Sequence, residues 1–157
     1  MSKQAVAVVA AAKAQIGYKE GTNNDNKFGV WYGVNYVSWC AIFVSWCFDQ
    51  AKAIPALEKY SYCPSLESWA HSHNMIVPIS QVQMGDVLLF DWTHSGVAEH
   101  TGIATGPIDP HTKLIPTIEG NTGPDHVGVN QSNGDGVYAK VRSPLVVRAV
   151  IRPKWQS

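Results

Sequence analysis

Residues 39–51 read Trp-Cys-Ala-Ile-Phe-Val-Ser-Trp-Cys-Phe-Asp-Gln-Ala. Wound into a helix, this stretch is apolar on nearly every face. Such a helix has no side to offer to water, so the rest of the chain must surround it. It falls well short of a bilayer span, and no other apolar run in the chain approaches that length. The sequence therefore predicts a buried central helix in a globular chain, without membrane insertion.

What can surround it follows from the flanking patterns. The residues before it read as helical. In the Ala-rich N-terminal stretch, Val6, Val9, Lys13 and Ile16 fall near helical spacing, Ser2 can cap and Gly17 can terminate. This smooth amphipathic pattern reads as a helix of the fold, not as an export signal. A polar loop over 20–27 follows, then Phe28-Gly-Val-Trp-Tyr-Gly33. A short helix is expected over 65–73, after Pro64. The second half is different. Segments 86–92, 98–105, 113–119, 136–142 and 146–152 are short runs of β-formers separated by Gly, Pro, Asn and Asp. Helices first and antiparallel strands after them indicate an α+β fold with a sheet of about five strands. At 157 residues the chain fits one domain. The stretch 120–136 holds five glycines and is too long for a turn; loops of that length in compact domains are functional or disordered.

Composition removes several functions. Lys+Arg and Asp+Glu both number 12, and only 15% of residues are charged. A neutral chain of this kind does not suit a nucleic-acid binder working through a basic surface. The zero conceals a split: residues 136–157 carry five cations (Lys140, Arg142, Arg148, Arg152, Lys154) and no acid. Two readings of that strip stand open, a solvated face or a surface that meets an anionic polymer.

Three cysteines cannot make a complete disulfide framework. Cys40 and Cys47 lie two helical turns apart, beyond disulfide reach. No pair has zinc-site spacing, even with His71 and His73 added. Cys47 and Cys63 read as small buried hydrophobes. Cys40 is different because it sits where the chain enters the buried helix. The positive end of the helix dipole there favours a thiolate, and the adjacent peptide N–H groups can hold an oxyanion.

A thiolate nucleophile needs a base and an orienting group. The segment Glu99-His100-Thr101-Gly102-Ile103 falls on the second strand, and Ile118-Glu119-Gly120-Asn121-Thr122 ends the third. If those strands are antiparallel neighbours, His100 and Glu119 face each other, and a carboxylate behind an imidazole fixes its tautomer. Cys40, His100 and Glu119 then serve as nucleophile, base and orienter, with Asn121 as a fourth polar group. Of the other histidines, His71, His73 and His111 read as surface groups. His94 follows Trp92 and could line a groove, and His126 in the glycine-rich loop could touch a ligand.

The ordered set Trp39-Cys40-Ala41, Phe43-Val44-Ser45-Trp46-Cys47, Gly85-Asp86-Val87, His100-Thr101-Gly102-Ile103 and Glu119-Gly120-Asn121-Thr122 resembles the cysteine, histidine-dependent amidohydrolase/peptidase (CHAP) family. The likeness is strongest to the catalytic domains of bacteriophage lysins and Gram-positive wall hydrolases, and it spans nearly the whole chain. It implies a papain-like α+β fold that cleaves an amide bond of peptidoglycan, as an N-acetylmuramoyl-L-alanine amidase or as a stem or cross-bridge endopeptidase. It gives Cys40, His100, Glu119 and Asn121 the catalytic positions. Trp31, Trp39, Trp92 and His94 are then the expected substrate-binding residues. No cofactor is required. Some relatives bind structural calcium through acids near the nucleophile; here Ile42 follows the Cys and the upstream loop offers mainly amides plus Asp25, so a structural calcium stands as the minor alternative to no metal. The implied partner is the wall of a Gram-positive bacterium, reached with a separate wall-binding module or subunit. The implied origin is a phage enzyme made in the host cytoplasm. The alternatives are an inactive wall-binding or virion structural module, or a papain-like protein isopeptidase.

Overall fold

The computed structural model describes residues 2–124 and 131–156; His126 lies outside them. The helices are α1 (Lys3–Lys13), α2 (Lys27–Tyr32), α3 (Cys40–Gln50) and α4 (Cys63–Ser72). The strands are β1 (Ile76–Val77), β2 (Val87–Phe90), β3 (His100–Ala104), β4 (Ile115–Thr122), β5 (Gly136–Arg142) and β6 (Val147–Ile151).

α3 is the buried centre that its composition demands. Every residue from Cys40 to Ser45 is buried, as are Cys47 and Phe48. α2 starts on the Asn26 side chain, which accepts from the Gly29 N–H, and ends at Gly33 with φ +95°. A left-handed C-cap of this kind suits glycine. This short helix delivers Phe28 to α3, where it stacks on Trp39 at 5.4 Å and meets Phe43 edge-on at 5.1 Å. Such aromatic pairs add to the gain from area burial alone.

α1 is capped by Ser2, whose hydroxyl accepts from the N–H groups of Gln4 and Ala5. Its buried stripe differs from the expected one. Ala5, Val8, Val9 and Ala12 face inward, while Val6 and Ile16 are about half exposed. The alanines let the helix approach α3 closely, so the small residues turn in and the larger Val6 turns out. α4 also begins two residues earlier than expected, with Pro64 in its first turn.

All six strands lie in one sheet of order β1-β6-β2-β3-β4-β5, with every neighbouring pair antiparallel. The five expected strands are present. The sixth, β1, is two residues long and pairs Ile76 with Ile151; it is too short to leave a period in the sequence. β2 is central and buried along its whole length. It has core on both sides: Val87 and Leu89 join the main core beneath the helices, and Leu88 and Phe90 a smaller one with Ile115 and Val150. The fold is α+β and papain-like, with the first helices packed on a C-terminal antiparallel sheet. Among the described residues no helix is long and apolar enough to cross a membrane.

The reading of the last strands as a basic strip for an anionic polymer is overturned. Arg142 pairs with Glu119, Arg148 with Glu67 and Arg152 with Asp86. Lys140 is buried, and its ammonium donates to the Gly123 carbonyl at 2.7 Å. Four of the five cations are therefore engaged within the fold, and the charge split records internal pairing.

Candidate active site

The site forms where the start of α3 meets β3 and β4. Cys40 is the first residue of α3, and Trp39 at the cap position makes no side-chain cap bond. The positive end of the helix is thus left to the thiol, and the Ala41 N–H hydrogen-bonds to it. Cys40 itself is only 6% exposed.

β3 and β4 are adjacent and antiparallel, with Ile103 opposite Ile118. That register brings His100 and Glu119 together, with Nε2 and Oε1 2.9 Å apart and both side chains fully buried. Gly102 makes the contact possible, because a Cβ there would collide with the Glu119 side chain. The His-x-Gly pattern thus has a steric cause: the glycine leaves room for the carboxylate to reach the imidazole two residues away. Gly120 has a similar role toward α3. A Cβ on it would come within 2.8 Å of Phe43 and Trp39, so its absence lets α3 seat on β4.

Glu119 is held by more than the histidine. Arg142 on β5 donates Nη2 to Oε1 at 2.5 Å and Nε to Oε2 at 2.8 Å. The Thr117 hydroxyl donates to Oε2 at 2.6 Å. Burial alone would raise the pKa of this carboxyl group, but Arg142 and His100 hold it at about 2. Charge-assisted, bidentate bonds of this kind are the strong ones. The guanidinium also lies 4.8 Å from the centre of the Trp92 ring, and Trp92 stacks on Phe90.

With Nε2 held by Glu119, His100 has Nδ1 free for the thiol. Nδ1 has no hydrogen-bond partner among the described residues, and Cys40 is the neighbour besides Glu119 that favours the charged imidazole. Burial pulls the imidazole pKa down, but Cys40 and Glu119 outweigh it and raise it to about 9. The Cys40 thiol is drawn well below its ordinary range, first by a hydrogen bond from Cys63 and then by His100, against the cost of burial. The two directions agree: each group favours the charged form of the other.

Cys63 is buried in the main core, as the sequence reading has it, and it has a neighbour there that the sequence did not show: its sulfur lies 3.8 Å from that of Cys40. The Cys63 pKa is pushed up, chiefly by this contact and then by burial, and either sulfur can be the donor in the contact. Arg142 is the other residue that sequence reasoning missed. The sequence showed it only as one of five cations over 136–157, with no sign that it meets Glu119.

Of the remaining expected site residues, Trp92 lies against the site, its ring 5.7 Å from that of His100, and the others differ in their placement. Asn121 is buried at the end of β4 with φ +57°. Its Nδ2 donates to the Ser132 carbonyl at 3.3 Å, and its Oδ1 has no partner among the described residues. Trp39 does not line a groove. It is fully buried and donates its indole N–H to Glu20 at 3.0 Å, because the aromatic cluster under α3 claims its ring. Trp92 is half-buried, with one contact to Arg142 and an indole N–H bonded to Ser132. Trp31 is half-exposed, with the Lys59 ammonium over its ring. His94 is exposed, at φ +56°, in the loop after β2. The acids of that loop shape it: Asp91 accepts from the N–H groups of Ser95 and Gly96, and Glu99 from the Trp92 N–H. In the upstream loop Asp25 accepts from Asn35. Among the described residues no group of three or more His, Cys, Asp or Glu side chains is placed to hold a metal ion.

A family model, the CHAP domain, matches residues 31–121. That interval contains Cys40, Cys63, His100, Glu119 and Asn121; Arg142 lies beyond it. Among solved structures, one similar chain is described as similar to a lipoprotein of the NLP/P60 family, from Staphylococcus aureus subsp. aureus Mu50. The two share 12% identity with a TM-score of 0.53, over 96% of this chain and 41% of that one. This chain thus spans about two-fifths of that protein's length, and at such identity the likeness concerns the fold alone. No curated protein matches the chain.

Proposed function

The chain belongs to the CHAP domain family, and from that premise we propose that it hydrolyses an amide bond of peptidoglycan with Cys40 as nucleophile. The observation that carries this is the buried relay in which Glu119 holds His100 Nε2 at 2.9 Å and leaves Nδ1 to the thiol.

In the proposed reaction the Cys40 thiolate attacks the amide carbonyl carbon. The oxyanion that develops is held by peptide N–H groups at the uncapped start of α3. His100, protonated on Nδ1, gives that proton to the leaving amine and a thioester remains. His100 then takes a proton from water, and the hydroxide releases the acid and restores the thiolate. Glu119 stays ionised throughout and stabilises the imidazolium, and no metal or cofactor takes part. Asn121 Oδ1, a buried acceptor with no protein partner among the described residues, suits a donor on the substrate.

Of the expected substrate-binding residues, Trp92 is the one that lies against the relay, its ring 5.7 Å from that of His100, and it takes that role in the proposal.

The finer parts of the proposal are a Gram-positive wall as substrate, cut as an amidase or as an endopeptidase, and a phage lysin as the biological setting. The same three residues serve either bond. Purified Gram-positive walls incubated with the protein should lose turbidity and release soluble fragments, and Cys40→Ala should release none. Mass spectrometry of the fragments identifies the bond: a free lactyl group on muramic acid marks an amidase, and a cut stem or bridge an endopeptidase. Unchanged lysis by Cys40→Ala would defeat the reading.

A further inference from the structure

Cys63 is a buried titratable group that the proposed hydrolysis does not require. It opens α4 as Cys40 opens α3, so each sulfur stands at the start of a helix. The sulfurs are 3.8 Å apart, and a disulfide needs about 2 Å. Small rotations about the two side chains, at helix ends instead of within a rigid helix, could close that gap. The third cysteine provides the contrast. Cys47 lies inside α3, and burial raises its pKa with no partner to offset it.

We infer that Cys40 and Cys63 form a reversible modification site, in which a peroxide oxidises Cys40 and Cys63 resolves it to a Cys40–Cys63 disulfide. The steps balance. The Cys40 thiolate attacks one peroxide oxygen, the O–O bond breaks, and the departing hydroxide takes a proton to become water. Cys40 is now a sulfenic acid, two electrons oxidised. The Cys63 thiol, losing its proton, attacks the Cys40 sulfur and expels the hydroxyl as a second water. Two thiols and one peroxide thus become one disulfide and two waters. A dithiol such as dithiothreitol reverses the change by two exchanges and is itself oxidised to its cyclic disulfide.

Two consequences follow for the nucleophile. It is blocked while the bond lasts, and it is spared the sulfinic acid that a lone thiolate reaches with excess peroxide. The effect on activity rests on the reading of Cys40 as the nucleophile; bond formation does not.

The test uses the full chain. After stoichiometric hydrogen peroxide, remaining thiols are alkylated under denaturing conditions and the protein is digested without reductant. The expected product is a peptide pair joined through Cys40 and Cys63, two hydrogens lighter than the separate thiol peptides. Wall lysis should disappear as this product forms and return with dithiothreitol. Cys47→Ala should behave like the unmodified chain. In Cys63→Ser, excess hydrogen peroxide, which supplies the second equivalent that this step consumes, should drive Cys40 to the sulfinic acid, and dithiothreitol should then not restore lysis. Circular dichroism checks that this variant folds, and Cys63→Ala serves if it does not. Overoxidised Cys40 with no joined peptide in the unmodified chain would overturn the inference. So would full recovery of Cys63→Ser. If the untreated protein fails to lyse walls, the hydrolase reading fails, and the joined peptide still decides this one.

Discussion

Arg142 and Glu119 form a two-pronged ion pair in the interior, with N–O distances of 2.5 and 2.8 Å. Removing one partner of such a pair leaves the other charge buried and uncompensated, a loss of about 3–5 kcal/mol. Arg142→Met should therefore lower the unfolding free energy by that amount, read as a lower denaturant midpoint, and lower turnover with it. Arg142→Lys keeps the charge but not the fork, and should fall between the two. Chemical denaturation of the three proteins checks the order.

Gly102→Ala tests the steric origin of the His-x-Gly pattern. The added methyl meets the Glu119 side chain, so the carboxylate must leave Nε2 or the strands must part. A shift of about 1 Å at a catalytic group can cost about 100-fold. The expected outcome is a loss of kcat/KM of about that size, with the circular dichroism spectrum retained.

Glu119→Gln removes the charge behind His100 while nearly preserving shape. The imidazolium loses its anion, and the amide can hold the wrong tautomer. The expected loss in kcat is about 10²- to 10⁴-fold, measured as fragment release at saturating wall concentration.

The pH profile should follow the thiolate–imidazolium pair. Activity rises as Cys40 deprotonates, below the ordinary thiol range, and falls as His100 loses its proton at about 9. Stability has a separate acid limit. The Glu119 pKa is depressed from 4.5 to about 2 on folding, so its contribution is complete above pH 4.5 and is lost as pH falls toward 2. Melting temperatures across that window should drop, and Glu119→Gln should flatten the drop.

Cys63→Ala should raise the pKa of Cys40, since the largest cause of its depression is the Cys63 hydrogen bond. Alkylation rate against pH reads the thiolate directly. Its midpoint should move upward in the variant and stay unmoved in Cys47→Ala.

The sequence made the central helix, five strands and the meeting of Cys40, His100 and Glu119 legible, because each rests on local pattern plus one assumption of neighbouring strands. What it hid depends on side chains meeting across long chain separations. Arg142 looked like surface charge because nothing local tells a buried arginine from a solvated one. Cys63 looked like core because thiols are commonly buried, and its neighbour is set by how α4 packs. Trp39 looked like a groove wall, but Phe28 and Phe43 take up its faces. The α1 stripe was misplaced because alanine, not valine, decided how closely that helix could approach.

β5 is the last strand at one margin of the sheet, yet it supplies Arg142 to the interior. Sheet margins are where a ladder most easily comes undone. Here backbone hydrogen bonds between residues 17–20 and 135–137, with the Lys19–Gly136 bridge among them, fasten the far end of β5 to the segment after α1, and the Lys19 ammonium reaches both Tyr138 and Asp135. Peeling this strand away would strip Glu119 of its countercharge while leaving the central helix packed. The clasp between residues 19 and 136 thus acts as a latch on the chemistry: loosening it would disarm the relay and draw Val137 out of the main core with it.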